Sequence, residues 1–197
     1  THTSERPDRL HEAAGGSRIA EIKTRVSHVI MDMPKVGVKA EMTITQKRPN
    51  FVLIDQTVPG MGRTVQGYDG KTGWANSDMQ GYRVLKGAEL QQLLNNSDLD
   101  AEAKVRTTCP LRTLLGERIV DGHRTQAVGL GSLKGSNGTY YFDEDIGHLV
   151  RVETSIIAGP WSVIQATMDV SDFREVDGVV MPGRTVMDNP AGHLVLT

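Results

Sequence analysis

Val36-Gly37-Val38-Lys39-Ala40-Glu41-Met42-Thr43-Ile44-Thr45 is the stretch that decides the fold class. Val36, Val38, Ala40, Met42 and Ile44 alternate with Gly37, Lys39, Glu41, Thr43 and Thr45. Successive side chains of a strand point to opposite faces, so a period of two predicts a strand with one buried and one wet face. Pro49-Asn50 closes it, because proline cannot donate to a ladder. Phe51-Val52-Leu53-Ile54 follows, apolar on both parities, which predicts a strand covered on both sides.

Outward from this segment the same punctuation recurs. Pro59-Gly60, Gly62 and Gly67 break the chain, and Tyr68-Asp69-Gly70-Lys71-Thr72-Gly73-Trp74 is a hairpin signal. Asp-Gly supplies the positive φ that tight β-turns need. It returns at Asp121-Gly122, after Glu117-Arg118-Ile119-Val120, and at Asp177-Gly178, before Val179-Val180-Met181-Pro182. Thr139-Tyr140-Tyr141-Phe142 turns through Asp143 to Gly147 into His148-Leu149-Val150-Arg151-Val152. Ile164, Ala166, Met168 and Val170 alternate with Gln165, Thr167, Asp169 and Ser171. Helical spacing is confined to short pieces. Pro7 to Ile22 carries Leu10, Ala13, Ala14, Ile19 and Ile22, interrupted at Gly15-Gly16, with Ser17 as an N-cap for its second half. Gly87 to Asn95 aligns Leu90, Leu93 and Leu94 on one stripe. Ser97 and Asp100 form a capping pair for a further turn of helix through Lys104.

Strands joined by short turns pair with their sequence neighbours, so the chain is expected to be an antiparallel meander. The predicted class is α+β, with a few short helices and roughly eight to eleven strands, more than a flat open sheet carries, so the sheet is expected to curl strongly into a barrel or half-barrel. The inward parity holds Val36, Val38, Met42, Ile44, Ile164 and Met168, with Phe51 and Leu53 of the doubly covered strand beside them. Eight methionines in the chain suit a wall that adapts to irregular apolar shapes. The same pattern equally suits a solid core, and periodicity does not separate the two.

Composition narrows the function. Lys plus Arg is 22 against 24 Asp plus Glu, with no basic stripe, so nucleic acid is not an expected partner. No run of about 18 apolar residues spans a membrane, and no signal-peptide pattern opens the chain. Cys109 stands alone, which excludes an intrachain disulfide and a cysteine-based zinc site and reads as a buried thiol. His2, His11, His28, His123, His148 and His193 show no metal-binding spacing, and His123 and His148 sit beside turns where a solvated ring is expected. No nucleophile elbow, phosphate loop or dinucleotide fingerprint is present. Gly135-Ser136-Asn137-Gly138 reads as a hairpin tip, and Asp143-Glu144-Asp145 as a solvated acidic turn without calcium-loop spacing. Metal, cofactor and catalysis therefore have no candidate residues. The chain reads as one domain, 1–197, whose ends, Thr1 and Leu194-Val195-Leu196-Thr197, look cut.

Several segments in order resemble the LolA-like and LppX-like superfamily of lipid and lipoprotein carriers, in particular the bacterial outer-membrane lipoprotein-sorting type. They are Ala14-Gly15-Gly16 with Ile19-Ala20-Glu21-Ile22-Lys23, Gly67-Tyr68-Asp69-Gly70-Lys71-Thr72-Gly73-Trp74 and Leu85-Lys86-Gly87-Ala88-Glu89-Leu90. Tyr141-Phe142-Asp143 with Gly147-His148-Leu149, and Asp172-Phe173-Arg174-Glu175-Val176-Asp177-Gly178-Val179-Val180-Met181-Pro182, complete the set. The resemblance implies an unclosed half-barrel with short helices covering its concave face and a cavity between them that receives acyl chains, no enzymatic activity and a periplasmic or cell-envelope location. It places Leu90, Leu93 and Leu94 on a covering helix and Trp74 near the turn at the sheet edge, all toward that cavity. The expected partner is an apolar ligand, with a lipoprotein or membrane-bound protein as donor or acceptor. Two other readings stand beside it. One is an interaction module whose strand edge Leu194-Val195-Leu196 pairs with a partner. The other is a small barrel enzyme, for which Glu41 and Asp169 fall on the outward parity.

Overall fold

The computed structural model describes residues 20–99, 111–131, 137–159, 162–190 and 192–197. The helix expected over 7–22 lies outside them apart from Ala20 and Glu21, which are helical. Cys109, residues 100–104 of the helix expected to be capped by Ser97, and Gly135-Ser136 of the expected tip also lie outside, whereas Asn137 and Gly138 belong to a strand. Ser97 is instead the last residue of the helix Gly87–Ser97, and its hydroxyl donates to the Leu94 carbonyl at 2.7 Å.

Fifteen strands are described: β1 Thr24–Met33, β2 Val38–Lys47, β3 Phe51–Val58, β4 Gly62–Tyr68, β5 Gly73–Ser77, β6 Gly81–Val84, β7 Leu111–Val120, β8 His123–Gly131, β9 Asn137–Asp143, β10 Leu149–Gly159, β11 Ser162–Ser171, β12 Arg174–Val176, β13 Val179–Met181, β14 Arg184–Asn189 and β15 Gly192–Leu196. One helix, α1 (Gly87–Ser97), lies between β6 and β7. The class is α+β, as expected, with more strands than the turn signals suggested. Thirteen strands hydrogen-bond in the order β6-β5-β4-β3-β2-β1-β15-β14-β11-β10-β9-β8-β7, and β12 and β13 form a separate hairpin. The strand pairs among the described residues are antiparallel, and the order begins at β6 and ends at β7 without these two pairing, so the sheet is open.

One compact unit contains β1 to β6, α1 and Val195–Thr197, and a second contains β7 to β14 with the start of β15. In the first unit, β1 pairs with β2 over its full length, from Thr24↔Lys47 to Met33↔Val38. Their connection is a 3₁₀ turn, Pro34–Val36, closed on Gly37 at φ 66. Proline fixes the first backbone angle and glycine accepts the left-handed one. Val36 therefore belongs to the turn and not to the strand, and it is 67% exposed. The end of the chain is also internal to this unit, for β15 pairs with β1 through Met31↔Leu196 and Asp32↔Val195. Leu194-Val195-Leu196 is thus no free edge. An isolated period of two cannot tell an edge strand from a central one, because the partner comes from the other end of the chain.

The second unit is a meander over β7, β8, β9, β10 and β11, with β14 added beside β11. Its β7–β8 turn holds Asp121 at φ 50 and Gly122 at φ 86, the two left-handed residues of a tight hairpin. Asp177 (φ 52) and Gly178 (φ 78) do the same between β12 and β13. Two corrections concern its loops. Asp143 is buried, and its Oδ1 accepts from the N–H groups of Asp145 (2.8 Å) and Ile146 (3.1 Å). Its neighbour Glu144 pairs with Arg124 at 3.1 Å, so this turn is braced and not a solvated acidic face. His148 stacks on Phe173 with ring centroids 4.7 Å apart, whereas His123 is solvated as expected.

Candidate functional site

The register places residues on faces without ambiguity in the first unit. Ile44 lies opposite Ile54, and Gln46 opposite Val52. Val52 in turn faces Tyr68, and Gln66 faces Ala75. Residues directly opposite share a face, so Met42, Ile44, Val52, Ile54, Tyr68 and Ala75 form one apolar surface across β2 to β5. α1 lies on it. Leu93 is 2% exposed and joins Val52, Ile54, Ala75 and Leu85 in a buried cluster, with Met42, Ile44, Tyr68 and Leu90 partly buried around it.

Two further contacts set the helix against the sheet. Gly73 makes room for it, since a Cβ there would collide with Leu90 Cδ1 and stand 3.6 Å from both Leu85 Cβ and Leu93 Cδ2. In the first helical turn Glu89 receives a bidentate pair from Arg83 of β6, at 2.8 and 2.9 Å. Arg83 holds the Glu89 carboxyl below its ordinary value, principally through these hydrogen bonds. Both groups are solvated, so this pair orients the helix more than it stabilises the unit. A Gly73→Ala substitution is expected to cost about 1–3 kcal/mol by overpacking. Leu90→Ala in the same chain should recover part of that cost, and a double-mutant cycle by urea denaturation measures the coupling.

The apolar surface continues past the helix. On β1 and β2, Ala40 is buried while Val29, Met31, Met33 and Val38 are half-buried. They face one another through Met31↔Ala40 and Met33↔Val38. Toward the other end of the same face Arg25 Nε donates to Oε1 of the buried Gln46 at 2.8 Å. This leaves a methionine-rich strip with part of its surface free, bounded by the half-buried Arg25 and the buried Gln46.

The second unit has its own apolar row. Val128 lies opposite Tyr140, Tyr140 opposite Val152, Val152 opposite Met168 and Met168 opposite Met187. Val128, Leu130 and Phe142 are buried together, with Tyr140 and Leu149 packed on them. Ile164 is half-buried next to the buried Ala166. The opposite face is polar. Arg151 bridges Asp169 (2.5 Å) and Asp121 (3.0 Å), and the Tyr141 hydroxyl donates to Glu153 at 2.8 Å. Burial, followed by that hydrogen bond to a carboxylate, pushes the Tyr141 hydroxyl upward. Asp169 is therefore an ion-pair partner on the outward parity, and Glu41 is exposed.

Among the residues singled out from sequence, the structure brings Met42, Ile44, Leu90 and Leu93 together, with Val38 and Leu94 half-buried. Ile164 and Met168 stand in the second unit. Four placements need correction. Val36 is in the exposed turn. Phe51 and Leu53 are 38% and 43% exposed, on the face opposite α1, because Lys47 pairs with Phe51 across a three-residue loop and so shares its wet face. The strand is covered on one side only. Trp74 also lies on that opposite face, over Gly67 and stacked on Tyr82 at 6.2 Å. The residues missed were Val52, Ile54, Tyr68, Ala75 and Leu85. The signal for Val52 and Ile54 was present, since carrying the parity of Ile44 across that short loop selects them.

Among the described residues no group of three or more His, Cys, Asp or Glu is placed to hold a metal ion. No helix among them is long and apolar enough to cross a membrane.

Solved structures share this architecture. A LolA superfamily protein from Nitrosomonas europaea superimposes with a TM-score of 0.66 at 14% identity, over 96% of this chain and 90% of that one. The fold is LolA-like. A DUF1329 family protein from Desulfovibrio piger shares the LolA-like fold at a TM-score of 0.65 and 12% identity, covering 97% and 88% of the two chains. An outer membrane lipoprotein-sorting protein domain from Vibrio parahaemolyticus follows at 0.56 and 10%, covering 94% and 90%. No family model matches the sequence, and no curated protein matches it. The likeness is one of LolA-like backbone with almost wholly different side chains.

Proposed function

We propose that this chain, acting as one LolA-like domain, is a non-enzymatic carrier or binding domain for a lipid, a lipoprotein acyl chain or another apolar ligand in the bacterial cell envelope. The observation that carries the reading is the apolar surface under α1, which extends beyond the helix as the half-buried strip of Val29, Met31, Met33, Val38 and Met42. Methionine side chains are flexible and polarizable, so such a strip conforms to an alkyl chain without directed polar chemistry. Burying a methylene yields about 0.8 kcal/mol, so a twelve-carbon chain gives on the order of 9 kcal/mol before ordering costs. The LolA-like fold, shared with a lipoprotein-sorting domain, supports the same conclusion.

Organic-solvent extraction of the purified protein followed by lipid mass spectrometry tests it. Bound lipid, or saturable uptake of a fluorescent fatty acid that Met42→Glu abolishes, is the expected result. A protein that is empty and takes up no fatty acid does not fit the proposal.

A further inference from the structure

The face of the first unit opposite α1 is the part of this unit that the carrier reading leaves unused. One cross-strand row on it runs Val26, Thr45, Leu53, Gly67, Trp74 and Val84. Phe51 flanks Leu53 along β3, and Tyr82 stacks on Trp74. Val26, Leu53, Tyr82 and Val84 are 54%, 43%, 64% and 48% exposed, and Thr45 and Trp74 are half-buried, so apolar side chains open to solvent recur along this face. Contiguous exposure of this kind marks an interaction surface.

Charge identifies what it meets. Along the edge of the stripe that Phe51 marks lie four exposed lysines. Lys47 is directly opposite Phe51. Lys71 lies in the β4–β5 turn, whose Gly70 sits against the Phe51 ring. Lys86 follows Val84 by two residues, and the Lys23 carbonyl accepts the Arg48 N–H at 2.9 Å, which fixes Lys23 beside the β2–β3 loop next to Lys47. Of the exposed acids near them, Glu21, Asp69 and Glu89, Asp69 has Oδ1 engaged by the N–H groups of Lys71 (2.9 Å) and Thr72 (2.7 Å), and Glu89 is paired with Arg83. The far end of the face is different: Asp32 pairs with Lys39, Asp55 with Arg63, and Glu41 is exposed.

We propose that this face docks on an anionic phospholipid membrane, with the lysines among the headgroups and Phe51, Leu53, Trp74 and Val84 at the acyl boundary. Tryptophan and tyrosine prefer that depth, and lysine stems reach past apolar surface to phosphate. Each lysine near an anionic leaflet strengthens binding several-fold. The proposal concerns the face opposite the ligand strip, so it stands or falls separately from the carrier reading.

Co-sedimentation of the full chain with phosphatidylcholine vesicles, with and without phosphatidylglycerol, is the test. Binding is expected to the anionic vesicles only, and Lys47→Gln with Lys71→Gln should weaken it about thirtyfold. Both lysines are exposed, so the variant should fold. In a Trp161→Phe background, where Trp74 is the remaining tryptophan, anionic vesicles should shift its emission to the blue. Equal binding to neutral vesicles, unaltered binding by the double variant or an unshifted Trp74 overturns the proposal. So does capture of an acidic protein on this face with no vesicle binding.

Discussion

Leu93→Ala is expected to lower the unfolding free energy by about 3 kcal/mol, inside the range for truncating a fully buried leucine. The side chain is 2% exposed and is enclosed by Val52, Ile54, Ala75 and Leu85. An eleven-residue helix does not hold itself together in water. α1 persists because its leucines are packed, and Leu93 is the deepest of them. Removing three methyl or methylene-type carbons there leaves a cavity the sheet cannot close, since Gly73 already lets the helix approach as near as the backbone permits. The melting temperature should fall by roughly 6–12 °C for a chain of this size. Amide exchange across α1 should accelerate more than exchange in β2 and β3. If the ligand strip continues under this helix, fatty-acid uptake falls in the same variant. A loss under about 1 kcal/mol would mean that α1 does not depend on that surface.

Phe142→Ala should cost about 3–5 kcal/mol, the largest single effect expected in the second unit. Phe142 is buried with Val128 and Leu130, and Tyr140 and Leu149 close over it. It also precedes the buried Asp143, whose carboxylate orders the β9–β10 turn through the Asp145 and Ile146 N–H groups. A cavity beside that turn removes packing from the strand that positions it. Phe142→Leu, which keeps most of the volume, should cost less than half as much. Urea denaturation of the two variants measures the difference, and equal midpoints would show that the ring is not what fills this core.

How much of this was legible beforehand follows from the range of each interaction. The hairpins at Asp121-Gly122 and Asp177-Gly178 are local, because two residues that accept positive φ suffice to reverse the chain, and both turn where expected. The Leu90, Leu93, Leu94 stripe likewise marks α1. Val36 misled because its alternation with Val38 is real in sequence but Pro34 and Gly37 bind it into a turn. Phe51 and Leu53 misled because an apolar run on both parities carries no information about which side is covered. Leu194-Val195-Leu196 misled because its partner, β1, lies far away in sequence, with Met31 paired to Leu196.

Period-two patterning and turn chemistry by themselves determined that this protein is built on a many-stranded antiparallel sheet with short turns, and the leucine spacing marked its helix at Gly87–Ser97. Only the tertiary structure decided which side of β3 and β5 faces α1, which strand receives the end of the chain, and that the aromatic stripe of Trp74 and Tyr82 stays open to solvent. The physical reason is that backbone conformation is chosen residue by residue, while burial is a property of register and of the neighbour laid on top.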